Sequence, residues 1–265
     1  MAAAASTRRQ LPGRVAMTFG SFLIGLVAWQ LLSSSGLVPR NALPGPVATA
    51  TAAGELLRTG AIWSPMLDTL VGAAAGLGIA MALAIPIGLG IGSSTFLDRA
   101  TSAVLEFLRP VPAPAILPIA ILLLGSGSTM KIALVAFGCF FPILVQTVHG
   151  IRETDPTLLQ TTRAFRISPA RRFLIRLLSA SPNIFTGVRV SASIALLVAV
   201  AVEIIAGAPG LGSAIQLASG GGNPAAANVY IILAGALGVL VAGGLGSVQR
   251  STITWVGEGR SAELR

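Results

Sequence analysis

Across 265 residues the chain carries 54% hydrophobic and only 10% charged side chains, with a net charge of +9 and a mean hydropathy of +0.83. So few charges cannot cover the surface of a water-soluble domain of this size, which excludes a soluble enzyme or regulator. The positive excess is carried by arginines placed between long uncharged windows, the pattern of a polytopic α-helical membrane protein and not of a nucleic-acid binder.

Taken in order, residues 15–33 form the first expected span. The preceding MAAAASTRRQLPGR resembles a signal n-region. No small-residue cleavage site precedes Ser33, so this span is expected to be retained. Pro44-Gly45-Pro46 opens a short helix over residues 47–58, with Pro46 suited to a first turn where its missing N–H is no loss. Residues 67–91 form the second span, long enough to cross a core that needs about 20 apolar residues. Gly92-Ser93-Ser94 with Asp98-Arg99 reads as a tight inner turn. Residues 103–124 form a broken third span, because Pro110, Pro112 and Pro114 cannot sit in one continuous helix. Irregular backbone at that depth is tolerated beside protein or a water-filled path. Gly125-Ser126-Gly127-Ser128 makes the outer turn. Residues 130–148, 187–206 and 226–248 supply the fourth, fifth and sixth spans. Gly72 with Gly76, and Gly235 with Gly238, predict close helix packing through small residues.

One segment is not an ordinary membrane loop. Residues 151–178 read IRETDPTLLQTTRAFRISPARRFLIRLL, polar chain enough for roughly eight helical turns. Two short helices are expected there, over residues 157–165 and 169–178. Orientation follows from charge. With a cytoplasmic N-terminus and six spans, the inner face carries Arg8, Arg9, Arg14, Arg99, Arg152, Arg163, Arg166, Arg171, Arg172, Arg176, Arg250, Arg260 and Arg265. The outer face keeps Arg40, Arg58 and Lys131, in accord with the positive-inside rule. Arg189 falls near the inner interface, where its stem can snorkel. The domain plan is a cytoplasmic tail (1–14), a transmembrane domain (15–251) and a second cytoplasmic tail (252–265).

Catalytic chemistry is not indicated. His149 is the sole histidine and Cys139 the sole cysteine, so neither a metal set nor an internal disulfide is predicted, and no cofactor is implied. The sequence has no GxxxxGK[ST] motif, so any ATP must be bound by another subunit. Glu203 is the acid placed deepest in a span, where a charge faces a cavity or a partner. Hydrogen bonding to the outer loop, residues 207–217, or binding of a proton or cation are its candidate roles, with a structural gate preferred. On the first of these, Glu203→Gln should leave substantial transport. Glu106 and Arg109 are spaced to pair on one helix face. The alternatives to a multi-subunit permease are a stand-alone secondary transporter or channel, whose internal repeats and intramembrane charges are missing, and a membrane scaffold.

Gln160-Thr161-Thr162-Arg163-Ala164-Phe165-Arg166-Ile167-Ser168-Pro169 resembles the EAA loop of ABC importer permeases. The chain around it is similar to the nitrate/sulfonate/taurine-type branch. Leu43-Pro44-Gly45-Pro46, Arg109-Pro110-Val111-Pro112, Leu124-Gly125-Ser126-Gly127 with Lys131, Phe140-Phe141-Pro142, Thr186-Gly187-Val188-Arg189, Glu203-Ile204-Ile205 and Gly210-Leu211-Gly212 follow in order. The resemblance spans roughly residues 37–251. Three departures stand out: Gln160-Thr161-Thr162 for Glu-Ala-Ala, Arg166 for the turn glycine, and Leu178-Ser179 for Leu-Pro. Since an arginine is strained in a left-handed turn, the turn is expected to be reshaped or carried by Ser168-Pro169.

The resemblance implies an all-α membrane protein with the six-span type I ABC importer permease fold and cytoplasmic termini. It further implies a homodimer with two ATP-binding subunits and an extracytoplasmic solute-binding protein, set in membrane lipid. Gln160, Thr161, Arg163, Ala164, Phe165, Arg166, Ile167, Ser168 and Pro169 would form the ATPase-coupling surface. Phe165 and Ile167 would fill a groove, with Arg163 and Arg166 pairing to its carboxylates. Pro110, Pro112, Gln146, Ser191, Ser193 and Glu203 are the candidates for the pathway or gate.

Overall fold

The computed structural model describes residues 11–37 and 43–252. The terminal tails, with Arg8, Arg9, Arg260 and Arg265, and also Arg40, lie outside them. Every regular element among the described residues is helical: α1 (Leu11–Ser34), α2 (Pro46–Thr59), α3 (Trp63–Ser93), α4 (Thr95–Leu108), α5 (Leu117–Leu124), α6 (Ser128–Arg152), α7 (Pro156–Ala164), α8 (Pro169–Ala206), α9 (Leu211–Gly220) and α10 (Pro224–Thr252). Four stretches are long and apolar enough to cross a membrane: α3, α6, α8 with α9, and most of α10. A fifth is the bent pair of α4 and residues 113–124, broken by 81°.

That break has the expected cause. Arg109 caps α4, Pro112 is extended (φ −67°, ψ 126°), and a 3-10 turn at Ala113–Ile116 leads into α5. The inner turn is shorter than expected. Asp98 and Arg99 belong to α4, and Ser94 alone makes the corner, its hydroxyl accepting the Leu97 N–H at 3.3 Å.

The described residues form two compact units. One holds α1 and α2 with residues 215–230. There the Trp29 indole N–H donates to the Pro44 carbonyl at 3.1 Å, fixing the turn into α2. Pro46 occupies the first turn of α2 as anticipated.

The second unit, residues 63–214 and those from 231 onward, is built on α3, α6 and α8. In lipid there is no hydrophobic gain in joining two apolar helices, so close packing must hold them. α3 supplies small residues at every fourth position: Gly72, Gly76, Ala80, Ala84, Gly88 and Gly92, all buried. A four-residue step keeps them on one stripe of the helix. Gly72 meets Lys131, Gly76 meets Val135, Gly88 meets Thr147 and Gly92 meets Ile151, themselves spaced by multiples of four residues on α6. The two helices therefore run parallel in close backbone contact. α8 returns antiparallel to α6, with Gly150 against Ala180 and Asn183, and Gly187 against Ile143 and Gln146. Met130, Leu134, Val135, Cys139, Ile143, Leu144, Ala199 and Val202 fill the core between them.

Two expectations fail here. Gly235 and Gly238 meet no neighbouring atom that a Cβ would touch, so they join no packed helix pair among the described residues. Residues 169–178 and the span 187–206 are not separate elements. α8 is a single helix of 38 residues with Pro182 inside it.

Candidate functional site

The unit's two ends are chemically opposite. At one end, the first half of α3, the start of α6 and the end of α8 converge on a buried ion pair. Lys131 Nζ lies 2.8 Å from Glu203 Oε1, with the side chains 1% and 0% exposed. The ammonium also donates to the carbonyls of Asp68 (2.8 Å) and Pro209 (2.6 Å), which uses its three protons. The Thr69 hydroxyl donates to the Glu203 carboxylate at 2.9–3.0 Å and accepts the Leu211 N–H at 2.8 Å. Gly212 N–H donates to Glu203 Oε2 at 3.0 Å.

The chain leaves α8 through Gly207, in the left-handed region (φ 66°), and Gly210 at φ 151°. A Cβ on Gly210 would collide with the Glu203 carboxylate, and one on Gly72 with the Lys131 stem. The small residues are what let two charges and a turn share the space. A buried ion pair costs desolvation that attraction alone seldom offsets, unless further hydrogen bonds complete it. Here they do, and the result is a clasp that ties the α8–α9 turn to α3 and α6.

At the other end α7 projects from the bundle. Asp155 caps it, its carboxylate accepting the Thr157 N–H at 2.7 Å. α7 closes with Ile167 N–H donating to the Thr162 carbonyl and Arg166 N–H to the Arg163 carbonyl, both at 3.0 Å. This is the Schellman pattern, with Arg166 in the position usually given to glycine. Arg166 has φ 51°, the one non-glycine residue in the left-handed region among those described. The turn is thus kept and not reshaped, and the arginine bears the strain. Phe165 beside it is 77% exposed. Gln160, Thr161, Arg163, Ala164, Ser168 and Pro169 are exposed as well, whereas Ile167 is half-buried and Thr162 is buried. Ile167 is therefore less exposed than the sequence suggests.

Residues 74–250 match the family described as "Binding-protein-dependent transport system inner membrane component". The chain belongs to this family. It is 38% identical over 191 residues to SsuC of Escherichia coli (strain K12), named as an aliphatic sulfonates transport permease, covering 71% of this chain and 73% of that one. It is also 38% identical over 204 residues to the riboflavin transport system permease RibX of Chloroflexus aurantiacus (strain ATCC 29366 / DSM 635 / J-10-fl), covering 76% and 75%. Among solved structures, an inward-facing MetNI methionine ABC transporter chain shares the fold, with a TM-score of 0.62 at 18% identity over 70% of this chain and 93% of that one. The chain is accordingly an ABC transporter permease, a multi-pass protein of the bacterial inner membrane. The family is one of transport subunits and not of enzymes, and it implies an ATP-binding subunit and a solute-binding protein as partners.

Of the pathway candidates, the structure places Pro110 and Pro112 in the α4–α5 break and Ser193 on an exposed face of α8. Gln146 packs its stem against Gly187. Ser191 lines nothing in this conformation. It is fully buried, its hydroxyl donating to the Cys139 carbonyl (3.1 Å) while the Cys139 thiol donates to the Ser191 carbonyl (3.2 Å). Glu203 does bond the outer loop, through Gly212. Thr69 and Lys131 are the site residues that the sequence alone did not bring together. Lys131 is buried in the interior at this end of the unit. The four-residue stripe of small residues on α3, beginning at Gly72, is the signal that could have aimed it there. Glu106 and Arg109 form no ion pair among the described residues.

Proposed function

We propose that this chain is one of two identical permease subunits through which an ATP-driven importer carries a small anionic solute into the cell by alternating access. Residues 15–251 form the permease domain of six spans with cytoplasmic termini, and residues 151–178 its coupling loop. The observation that carries the proposal is α8. It is one helix of 38 residues, about 57 Å at 1.5 Å per residue. Its first turn carries the coupling loop and its last turn carries Glu203. A rigid element of this length transmits a push at Phe165 to the clasp, which is the kind of linkage that two-state switching requires.

On this view ATP-driven closure of the ATPases moves the coupling loops of the two subunits together. The α8–α9 turns then shift with the far ends of α8, and hydrolysis restores the resting state. The difference in stability between the two states, and not the chemistry of any one side chain, drives the solute across. The sulfonate relative supports an anionic organic or inorganic solute such as a sulfonate, taurine, nitrate or an aromatic acid. The riboflavin relative, equally identical, supports a larger uncharged ring compound as the second substrate class.

The test is ATP-dependent uptake into vesicles holding the permease, its ATPase and its binding protein. Radiolabelled ethanesulfonate, an anion at neutral pH, and riboflavin are offered separately. Uptake of an anion alone supports the first class and riboflavin uptake the second. ATP-independent uptake by the permease alone would overturn the importer. Orientation is checked by cysteine labelling, with Ser128→Cys expected to react from outside and Ser168→Cys only after permeabilisation.

A further inference from the structure

A cleft of about 320 Å³ opens where the end of α3 meets α7 and the first turns of α8, lined by Leu159, Arg163, Pro169, Arg172, Phe173 and Arg176. Arg172 and Arg176 lie one turn apart on the same face of α8, with Arg163 facing them from α7. The Nε atoms of Arg172 and Arg176 are both buried without a hydrogen-bond partner among the described residues. Buried donors left unpaired are uncommon because each forfeits its hydration.

Among the described residues, three acids of this end are already engaged. Asp98 holds Arg152 at 2.7 Å, Glu153 holds Asn183 and lies 3.0 Å from His149, and Asp155 caps α7. Among the described residues no ion pair reaches Arg163, Arg172 or Arg176. Pro169 begins α8 with no side-chain cap, so the positive end of a long helix dipole adds to the field. Three guanidinium groups with spare donors fit a multivalent oxyanion better than a single carboxylate, since each fork can span two oxygens. Leu159 and Phe173 add an apolar wall beside them.

We propose that this cleft binds a phosphate group, presented by the headgroup of an anionic phospholipid or by a soluble phosphate. The site bridges α7 to α8, so its occupancy would brace the loop against the helix that carries it. Only Arg163 and Pro169 are shared with the coupling surface, and the proposal stands whether or not an ATPase docks at Phe165.

The full-length permease is placed in nanodiscs of phosphatidylcholine with and without phosphatidylglycerol, and bound lipid is counted by native mass spectrometry. In a second arm, inorganic phosphate is added to the phosphatidylcholine discs and to the mixed discs. Retention of phosphatidylglycerol should fall about tenfold in Arg172→Gln/Arg176→Gln, since juxtamembrane arginines each strengthen attraction to anionic headgroups severalfold. Each single variant should lose more than Arg171→Gln, which removes the same charge from an exposed neighbour. Arg172→Lys/Arg176→Lys should keep part of the retention, and it carries the test if the glutamine pair fails to fold.

Phosphatidylglycerol retention unaffected by inorganic phosphate assigns the site to lipid. Phosphate binding that blocks the lipid assigns it to the soluble ion. Equal loss in Arg171→Gln, or no dependence on either phosphate source, overturns the proposal. So does a result in which the cleft variants lose only ATPase binding, since the guanidiniums then serve a protein carboxylate.

Discussion

The two ends of the α3–α6–α8 unit are made from similar polar groups but differ in how completely those groups are satisfied. At the clasp each proton of Lys131 and both oxygens of Glu203 have partners within the chain. At the α7 end Arg163, Arg172 and Arg176 have no acid partner among the described residues, and Phe165 stands in the open. Closed networks hold a chain to itself, while unsatisfied ones await something outside it. The contrast separates the part of the molecule that maintains its architecture from the part that meets partners.

The largest effect should come from opening the closed end. Lys131→Met leaves the Glu203 carboxylate buried without a counter-charge, and breaking one partner of a buried pair costs about 3–5 kcal/mol. The variant should lose its monodisperse elution in detergent and much of its thermal resistance. Lys131→Met/Glu203→Gln should recover more than half, because no charge is left stranded and the amide still accepts from Thr69 and Gly212. Glu203→Gln alone should be nearly as harmful as Lys131→Met. This reverses the tolerance expected from the sequence, because the ammonium it strands is invisible there. If both single variants keep wild-type stability, the clasp is not what holds the α8–α9 turn.

At the open end a substitution should leave the fold intact and remove a partner. Phe165→Asp places a charge where an aromatic anchor is offered. Loss of such an anchor costs about 2 kcal/mol or more at an interface, and burying the new carboxylate adds to it. ATPase pull-down should fall at least about thirtyfold, and substrate-stimulated hydrolysis in vesicles should fall with it. Insertion, elution volume and melting temperature should stay unchanged. Wild-type pull-down would show that Phe165 does not touch the ATPase.

How much of this was legible in the sequence follows from which properties are local. Apolar length is a property of consecutive residues, so four of the predicted spans fall within helices long and apolar enough to cross a membrane, and a fifth falls on the bent pair of α4 and residues 113–124. Pro110, Pro112 and Pro114 announced the bend between α4 and α5. The continuity of α8 is obscured because the basic helix over residues 169–178 is assigned to the coupling loop and the next span begins only at residue 187. α8 runs through Pro182 between them, and a membrane helix tolerates an internal proline when neighbours satisfy the freed backbone. The clasp was hidden for a different reason. Thr69, Lys131 and Glu203 lie on three helices more than sixty residues apart in sequence, and their meeting depends on how α3 and α6 are registered. Glu203 could be flagged as a buried acid, but its partner could not be chosen. Phe165 and the arginines around it could be named because the resemblance to the EAA loop is carried by consecutive residues.

A smaller effect sharpens the boundary between the two ends. Arg166 occupies a left-handed conformation that costs a side-chain-bearing residue roughly 1–2 kcal/mol. Arg166→Gly should relieve about 1 kcal/mol of that without altering the Schellman bonds, which use only backbone atoms. Hydrogen exchange at Arg163, Phe165 and Ile167 should slow, and coupling to the ATPase should be retained or increased. Weaker ATPase binding with a more stable turn would mean that the guanidinium itself makes the contact. Arg166 would then be kept for recognition at the expense of local stability.

The smallest effect tests the middle of the unit. Ser191 and Cys139 exchange hydrogen bonds through side chain and backbone in a fully buried contact between α8 and α6. Side-chain hydrogen bonds between membrane helices are worth about 0.6 kcal/mol on average, because alternative partners exist when the helices separate. Ser191→Ala should therefore lower the thermal midpoint only slightly and leave transport rate and substrate preference as they were. Ser193→Ala, on the exposed face of the same helix, should leave stability unchanged. If Ser193 faces the solute, its substitution should alter the apparent affinity for that solute. An altered preference in Ser191→Ala would mean that α6 and α8 part during the cycle and bring Ser191 to the path. The stability change and the transport change thus report on two separate questions, whether the serine is a packing contact and whether it ever meets the solute.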